Sequence, residues 1–520
     1  MSSHKESTEQ TNKLSFPTII AFGTGAMGEA VYLGLFNGFI TIYYNQVIGL
    51  SNALIGTAIM LALVGDAITD PLVGVMSDRW KSRHGRRHPF LFVAPVPMAL
   101  TLYFIFNPPD FILAGPDGPS QIALFIWLAI LTILSRALNT LYSVPHLALG
   151  GELSKDQHQR SQLFSANTVL GAAFGTAFSF VIWSYFFAGE RIREADGKLV
   201  PGHLDAAAYG PLLLLSCSII IVAIWFCAAG TYNRVPHLSQ PEDSTAKLTP
   251  RHLFNEIRST LKNANYVYLL VGYFFFMITS GIYETMDVFI KTYFWELIPD
   301  QIRWFGLIAA VMGISGALSA PSLMRRFDRK PVLLGSLAGM VVFAQLVVDL
   351  RLLGLLPENH DPALLPILLA NAAGFSLCIG MGSVTIYSML GDIIDENELT
   401  TGKRQEGLYY SARAFFAKAS NSFGHFIAGI TLEVFVRLPF DAVPGQLDDG
   451  ILTRMGIIAG PIMGFTGIIS IFIYNRYNLT KERHREVMKL LDNKEVTAST
   501  YQESRIDNRN EGSDEAVLQP

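Results

Sequence analysis

Charge is scarce in this chain. Asp, Glu, Lys and Arg make up 16% of its 520 residues, where a soluble protein carries about a quarter. Cysteine is scarcer, with three positions, Cys217, Cys227 and Cys378. Each lies inside an apolar run, and an odd count so placed offers neither a disulfide framework nor a metal-ligand spacing. The net charge of −4 shows no basic excess, so no nucleic-acid partner is expected. Nor is a cleavable signal peptide expected. Residues 1–16 are polar, of mixed charge, and run straight into a long apolar stretch, without the basic start, short apolar core and small-residue cleavage site of such a leader. Together these shortages exclude a disordered chain, a disulfide scaffold and an ordinary cytosolic enzyme.

Apolar residues are abundant. Half the chain is hydrophobic, with 35 Phe and 44 Gly, and the mean hydropathy is positive. Twelve spans of about 20 residues need about 240 positions, which this length supplies. Apolar runs fall near 17–44, 52–76, 89–107, 121–149, 162–187 and 208–231, then near 264–294, 303–324, 331–353, 362–391, 407–436 and 451–474. The expected fold is an all-α membrane protein with twelve transmembrane helices in two pseudo-symmetric six-helix bundles. Its parts are a tail at 1–16, bundles at 17–231 and 263–475, a linker at 232–262 and a C-terminal tail at 476–520. A short helix from Leu479 to Leu491 is expected in that tail.

Basic residues orient the spans. The loop after the second span has Arg79, Lys81, Arg83, Arg86 and Arg87, and the loop after the eighth has Arg325, Arg326, Arg329 and Lys330. Loops after the first and third spans have none, which puts both termini in the cytoplasm. The two halves echo each other, since the fourth and tenth spans both run into acidic loops, at Glu152 and Asp156 and at Asp392 and Asp395. Two similar halves on a linker is the organisation of an alternating-access transporter.

An ionisable residue inside a span costs at least about 2.5–3.5 kcal/mol unless it faces a cavity or a partner. The second span carries Asp66 and Asp70, four apart and so on one helix face. Two carboxylates that close repel unless a cation lies between them or one is protonated. Oxygen ligands suit a hard alkali cation. Thr69 adds a hydroxyl, and Pro71 frees the Ala67 carbonyl. The alternative is a static salt bridge from one Asp to Arg136 or Lys418. Lys418 and Arg413 are five residues apart and point in different directions, so Lys418 is expected to face the acids and Arg413 to face elsewhere. Candidates for contact with a solute are Glu29, Asn37, Arg136, Asn139, His146, Asn167, Tyr283, Glu284, Asp287 and Arg413. A cytoplasmic gate is expected from Asp78, Arg79, Arg83 and Arg86 pairing across the halves with Glu152, Asp156, Asp392 or Asp395 when the inside is shut. His84 and His88, among five basic residues, read as solvated loop residues. No catalytic constellation is present, so the chain is not expected to be an enzyme.

The run Asp66-Ala67-Ile68-Thr69-Asp70-Pro71, followed by Ser77-Asp78-Arg79 and Ser82-Arg83-His84-Gly85-Arg86-Arg87-His88-Pro89, resembles the glycoside–pentoside–hexuronide:cation symporters. These are melibiose-permease-like members of the major facilitator superfamily. The stretches Gly151–Asp156 and Asp392–Lys418 agree, and the resemblance covers residues 17–475. It implies the major facilitator fold, Na⁺, Li⁺ or H⁺ as coupling ion, and no other cofactor. By matching position the cation ligands would be Asp66, Thr69, Asp70 and Thr140, with Lys418 beside them in a coupling role. The positions matching the melibiose permease's three polar sugar contacts are Ala30, Ser143 and Thr168, which departs from a galactoside pattern. The second-span run is also similar to sodium-dependent lysophosphatidylcholine symporters, and the Arg-rich loop to plant sucrose carriers. The expected function is cation-coupled symport of a sugar or glycoside, the alternative a lysophospholipid or other amphiphilic anion. A functional monomer in a lipid bilayer, a bacterial inner membrane, is expected.

Overall fold

Ser15 and Pro17 start the first helix, the serine hydroxyl accepting from the Thr18 amide. Side-chain caps also start the later helices at Ser120, Asp156 and Asn263, each satisfying an amide that has no partner within its own helix. The computed structural model describes residues 14–113, 120–154, 156–193, 197–238, 261–402 and 406–491. The expected linker at 232–262 and the two tails lie largely outside the described residues.

The first set of helices is α1 (Phe16–Ile42), α2 (Asn52–Arg79), α3 (His88–Val93 with Pro95–Ile105), α4 (Gln121–Glu152), α5 (Gln157–Val181) and α6 (Tyr209–Tyr232). The second is α7 (Ala264–Phe289), α8 (Pro299–Phe327), α9 (Arg329–Leu352), α10 (Leu364–Thr401), α11 (Glu406–Ile430) and α12 (Asp449–Ile457 with Met463–Tyr474). A further helix, α13, covers 481–491. Among the described residues eleven helices are long and apolar enough to cross a membrane. The expected twelfth, α11, forms as a helix, but Arg413, Lys418, Asn421 and His425 make it too polar to meet that standard. It is packed between α7 and α2.

A π-helical turn ends α1 (Tyr43–Ile48), α5 (Ile182–Phe186), α7 (Ile290–Phe294) and α11 (Thr431–Val436). α7 stands six helices after α1, and α11 six after α5, so the irregularity repeats with the period expected of two related halves. A short hairpin, β1 (Glu190–Ile192) and β2 (Leu199–Pro201), pairs antiparallel between α5 and α6.

Within the first set α1 packs on α5 and α6, and α4 on α2 and α3; within the second α7 packs on α11 and α12, and α10 on α8 and α9. The sets meet mainly where α2 lies against α11 and α5 against α8. The side on which α1 begins and α12 ends is here the terminal side, and its opposite the far side. Contacts between the sets gather on the far side. Gln46 donates to the Pro439 carbonyl at 3.0 Å and accepts from Tyr293 at 2.9 Å. His203 Nε2 pairs with Thr292 Oγ1 at 2.8 Å. The Asn52 amide donates to Glu433 at 3.0 Å. Arg193 donates to the Asp441 carbonyl at 3.2 Å, and Lys198 sits 3.5 Å from the Asp441 carboxylate. Phe180 and Trp304 join α5 to α8 edge to face. Towards the terminal side, Gly74 of α2, Gly151 of α4 and Gly391 of α10 have open space where a Cβ would stand. Among the described residues the side-chain contacts between the two sets thus close the far side.

Candidate functional site

Asp66 and Asp70 stand one turn apart on α2, just before Pro71 in the same helix. Two residues of α4 answer them with the same four-residue spacing. Arg136 donates from Nε and Nη2 to Asp66 Oδ2, at 2.9 and 2.5 Å. Thr140 donates from Oγ1 to Asp70 Oδ1 at 2.8 Å. From the second set, Lys418 donates from Nζ to Asp70 Oδ2 at 2.6 Å. The acids are thus satisfied as two ion pairs, one within the first set and one joining the sets.

The two pairs differ in access. The side chains of Asp66 and Arg136 are 4% and 18% exposed, while those of Asp70 and Lys418 are 32% and 39% exposed. The second pair is the more exposed of the two. Arg136 is braced further by the Phe36 ring, 5.8 Å from its guanidinium carbon. Next to it in sequence, Ser135 hydrogen-bonds the Tyr32 hydroxyl at 2.9 Å. Two buried oxygens have no hydrogen-bond partner, Thr69 Oγ1 and Asn139 Oδ1. They are the sequence neighbours of Asp70 and Thr140. A buried oxygen of this kind ordinarily finds a partner, so each of the two keeps unused acceptor capacity. Glu29, on α1, lies within electrostatic reach of Lys418.

A family model described as MFS/sugar transport protein matches residues 21–481. The chain belongs to this family. It is therefore a multi-pass membrane transporter of the major facilitator superfamily that moves a small-molecule substrate, and not an enzyme. It is 23% identical to the putative glycoside/cation symporter YagG of Escherichia coli, over 86% of this chain and 89% of that one. It is 24% identical to the sodium-dependent lysophosphatidylcholine symporter 1-A of Danio rerio, over 94% of this chain and 91% of the relative. Its fold is similar to the crystal structure of a D-xylose-proton symporter, with a TM-score of 0.59, 16% identity, and 89% and 97% of the two chains covered.

In this transporter the ten residues singled out for solute contact do not form one group. Glu29 and Asn37 belong to α1 and Arg136 and Asn139 to α4; of these, Arg136 pairs with Asp66 and Glu29 lies within electrostatic reach of Lys418. His146 is fully buried, stacked between Phe22 and Tyr142 with ring centroids at 4.4 and 5.2 Å, and it pairs with Asn167 at 2.8 Å. That makes the two a packing element between α4 and α5. Glu284 takes Ser280 at 3.0 Å and Asn421 at 3.4 Å, with His425 at 3.5 Å. Asp287 pairs with Lys291 at 2.5 Å, and with Tyr283 it lines a cavity inside the second set, among Phe305, Phe343 and Phe375. Arg413 points away from Lys418, into rings of α7 and α10.

Among the described residues the ion pairs given for the transporter's charged loops lie within each set. Glu152 receives Arg86 at 2.9 Å and Arg87 at 2.7 Å, and Arg87 also holds Asp78 at 2.5 Å. Asp392 takes Arg329 at 2.9 Å, and His484 of α13 lies 3.0 Å from Asp395 and 3.5 Å from Asp392. Arg83 donates to its neighbour His84, Arg79 ends α2, and Asp156 caps α5. The partners that Asp78, Arg86, Glu152 and Asp392 take here are therefore local to each set, and not the cross-half pairs expected of a shut inside. Arg87, Arg329 and His484 were missed as loop partners. Arg87 stood beside Arg86 in the motif, whereas His484 reaches the acids only through the docking of α13. One expectation is corrected outright. His88 is fully buried and bonds Thr231 at 3.0 Å, and His84 bonds Tyr232 at 2.7 Å, because the loop folds back on the end of α6.

Proposed function

We propose that this chain is a cation-coupled symporter of a sugar or glycoside, working by alternating access with Na⁺, Li⁺ or H⁺ as the coupling ion. The observation that carries this reading is the Asp70–Lys418 pair. It ties α2 of one set to α11 of the other, it is partly exposed, and the residues next to Asp70 and Thr140 in the chain, Thr69 and Asn139, carry buried oxygens without partners. A cation arriving at Asp66, Thr69, Asp70 and Thr140 competes with Lys418 for Asp70. Lys418 is the coupling residue: released from Asp70, it unties the two sets at their middle. Linkage makes the effect mutual, so bound solute tightens cation binding by the factor that the cation tightens solute binding. One charge moving through about 100 mV supplies about 2.3 kcal/mol, enough to concentrate solute roughly fiftyfold at about 1.4 kcal/mol per tenfold.

The alternating basic loops support termini in the cytoplasm, with the protein a monomer in a bacterial inner membrane. On that orientation the closed far side faces outward. The likeness to a glycoside/cation symporter supports a glycoside substrate. The likeness to a lysophosphatidylcholine symporter supports the second reading, an amphiphilic anion. The test is uptake into sealed proteoliposomes from a panel of glycosides, uronides and lysolipids, with and without an imposed Na⁺ or H⁺ gradient. Uptake should follow the gradient in the unaltered protein and vanish in Asp70→Asn. Uptake indifferent to both the gradient and the substitution would remove the coupled reading and leave a passive carrier.

A further inference from the structure

Arg413 lies five residues from Lys418 on α11, about 7.5 Å nearer the terminal side at 1.5 Å of rise per residue. Its side chain is buried, with the residue 8% exposed. The guanidinium carbon sits 4.4 Å from the ring centroid of Tyr273 on α7 and 4.1 Å from that of Tyr387 on α10. Nη2 donates to the Tyr273 hydroxyl at 2.7 Å. Nε is buried and has no partner. Among the described residues no carboxylate stands within ion-pair distance of this guanidinium, unlike Arg87, Arg136 and Arg329.

A desolvated cation without an anion is costly, and cation–π contacts recover only part of that cost. Other polar groups nearby are unpartnered as well. The hydroxyls of Tyr409 and Tyr474 are buried without partners. Tyr474 lies within electrostatic reach of Arg413, and Tyr409 packs on Tyr266, which is also within its reach. Three buried polar groups without partners gather in this region, and the carboxylate that reaches it, Glu396, acts on Tyr409 and is held by Asn263 and Asn265. Tyr387 is 48% exposed, so one face of the stack reaches the surface of the packed helices.

We infer that Arg413, stacked between Tyr273 and Tyr387, binds a multi-oxygen anion, a carboxylate or phosphate-type group, on the terminal side of the ion-paired acids. A guanidinium offers parallel donors that fit such a group. This deepens the transport reading and rests on it in one respect: the anion is taken to be the charged end of the transported solute. The same chemistry is presented by free phosphate and by a lysolipid head group, and the experiment separates the three.

The test is ligand protection of the full-length protein against heat in a non-ionic detergent. The probes are methyl glucuronide, its neutral twin methyl glucoside, inorganic phosphate, and micelles of lysophosphatidylglycerol. The sugar acid should protect at a concentration at least tenfold lower than the neutral twin. Arg413→Gln should erase that difference while the response to the glucoside stays, and Arg413→Lys should keep part of it. Protection by phosphate or by the lysolipid in place of the sugar acid, lost in Arg413→Gln, keeps the anion site and names its source. Tyr387→Leu removes the exposed side of the stack, and should reduce the discrimination even if Arg413→Gln does not fold. Protection by none of the three anions overturns the inference. So does an Arg413→Gln protein that melts earlier but keeps the anion preference, since the arginine would then serve packing alone. Asp70→Asn separates the two readings, because it should lose gradient-driven uptake and retain anion protection.

Discussion

At the scale of single residues, the pairing of Asp66 with Arg136 makes a strong demand on stability. The carboxylate is buried, and removing one partner of a buried ion pair typically costs about 3–5 kcal/mol. Arg136→Gln should therefore lower the thermal midpoint markedly, and adding Asp66→Asn should restore part of the loss. A double substitution no more stable than the single one would count against Asp66 as the stranded charge. Much of this pairing was legible in the chain. The four-residue spacing put both acids on one face, and Arg136 and Lys418 were the cations within the spans that could answer them. Which acid takes which cation was not readable, because it depends on how α2 is rotated against α4 and α11. The divergence of Arg413 from Lys418 was readable, since five residues turn a helix through about 140° net. Its lodging between two tyrosines was not, because Tyr273 and Tyr387 are brought to it from helices distant in sequence.

At the scale of elements, the contact between α2 and α11 on the far side depends on small residues. A Cβ on Gly56 would lie 3.0 Å from the Phe426 Cα and 3.2 Å from its carbonyl. A large side chain there wedges the far-side contact, and overpacking of this kind typically costs about 1–3 kcal/mol. Gly56→Leu should favour the form open at the far side, seen as faster labelling of a cysteine placed at Pro439. Gly34→Leu, where nothing stands within 4 Å of a Cβ, should leave the labelling rate unchanged. Equal rates in the two variants would mean that α2 and α11 do not govern that opening. Hydropathy alone made most of the long helices legible, because lipid leaves an exposed segment little other choice. It could not reveal the π-turns or the β1–β2 hairpin, which have no apolar period of their own. It also read α11 as one more apolar run, although polar residues at four positions set that helix apart.

At the scale of the whole molecule, the far-side closure carries a titratable group. His203 lies outside the spans and is fully buried. It touches Thr292, the rings of Trp183 and Phe187, and through its carbonyl the Tyr209 hydroxyl, with Asp205 the nearest acid in sequence. Burial pushes its imidazole down to about 3, against about 6.5 for a hydrated histidine. The opened form therefore binds more protons between those values. The closed contact is fully favoured above about pH 6.5 and weakens as the pH falls through that window, by roughly 2 kcal/mol at pH 5. Distances between spin labels on the two far-side rims should lengthen on acidification from pH 7.5 to 5, and His203→Gln should flatten the response. Distances that do not change with pH would exclude this histidine as a contributor. The six-plus-six order was legible in the chain, but the phase of the cycle was not, because two packings of one sequence share one hydropathy profile. The hairpin that places Arg193 and Lys198 on Asp441 has a practical corollary. An antibody fragment whose epitope straddles that seam would recognise one posture of the carrier and arrest it there, since a binder that discriminates between conformations shifts their populations. It would do so without competing for the solute's path.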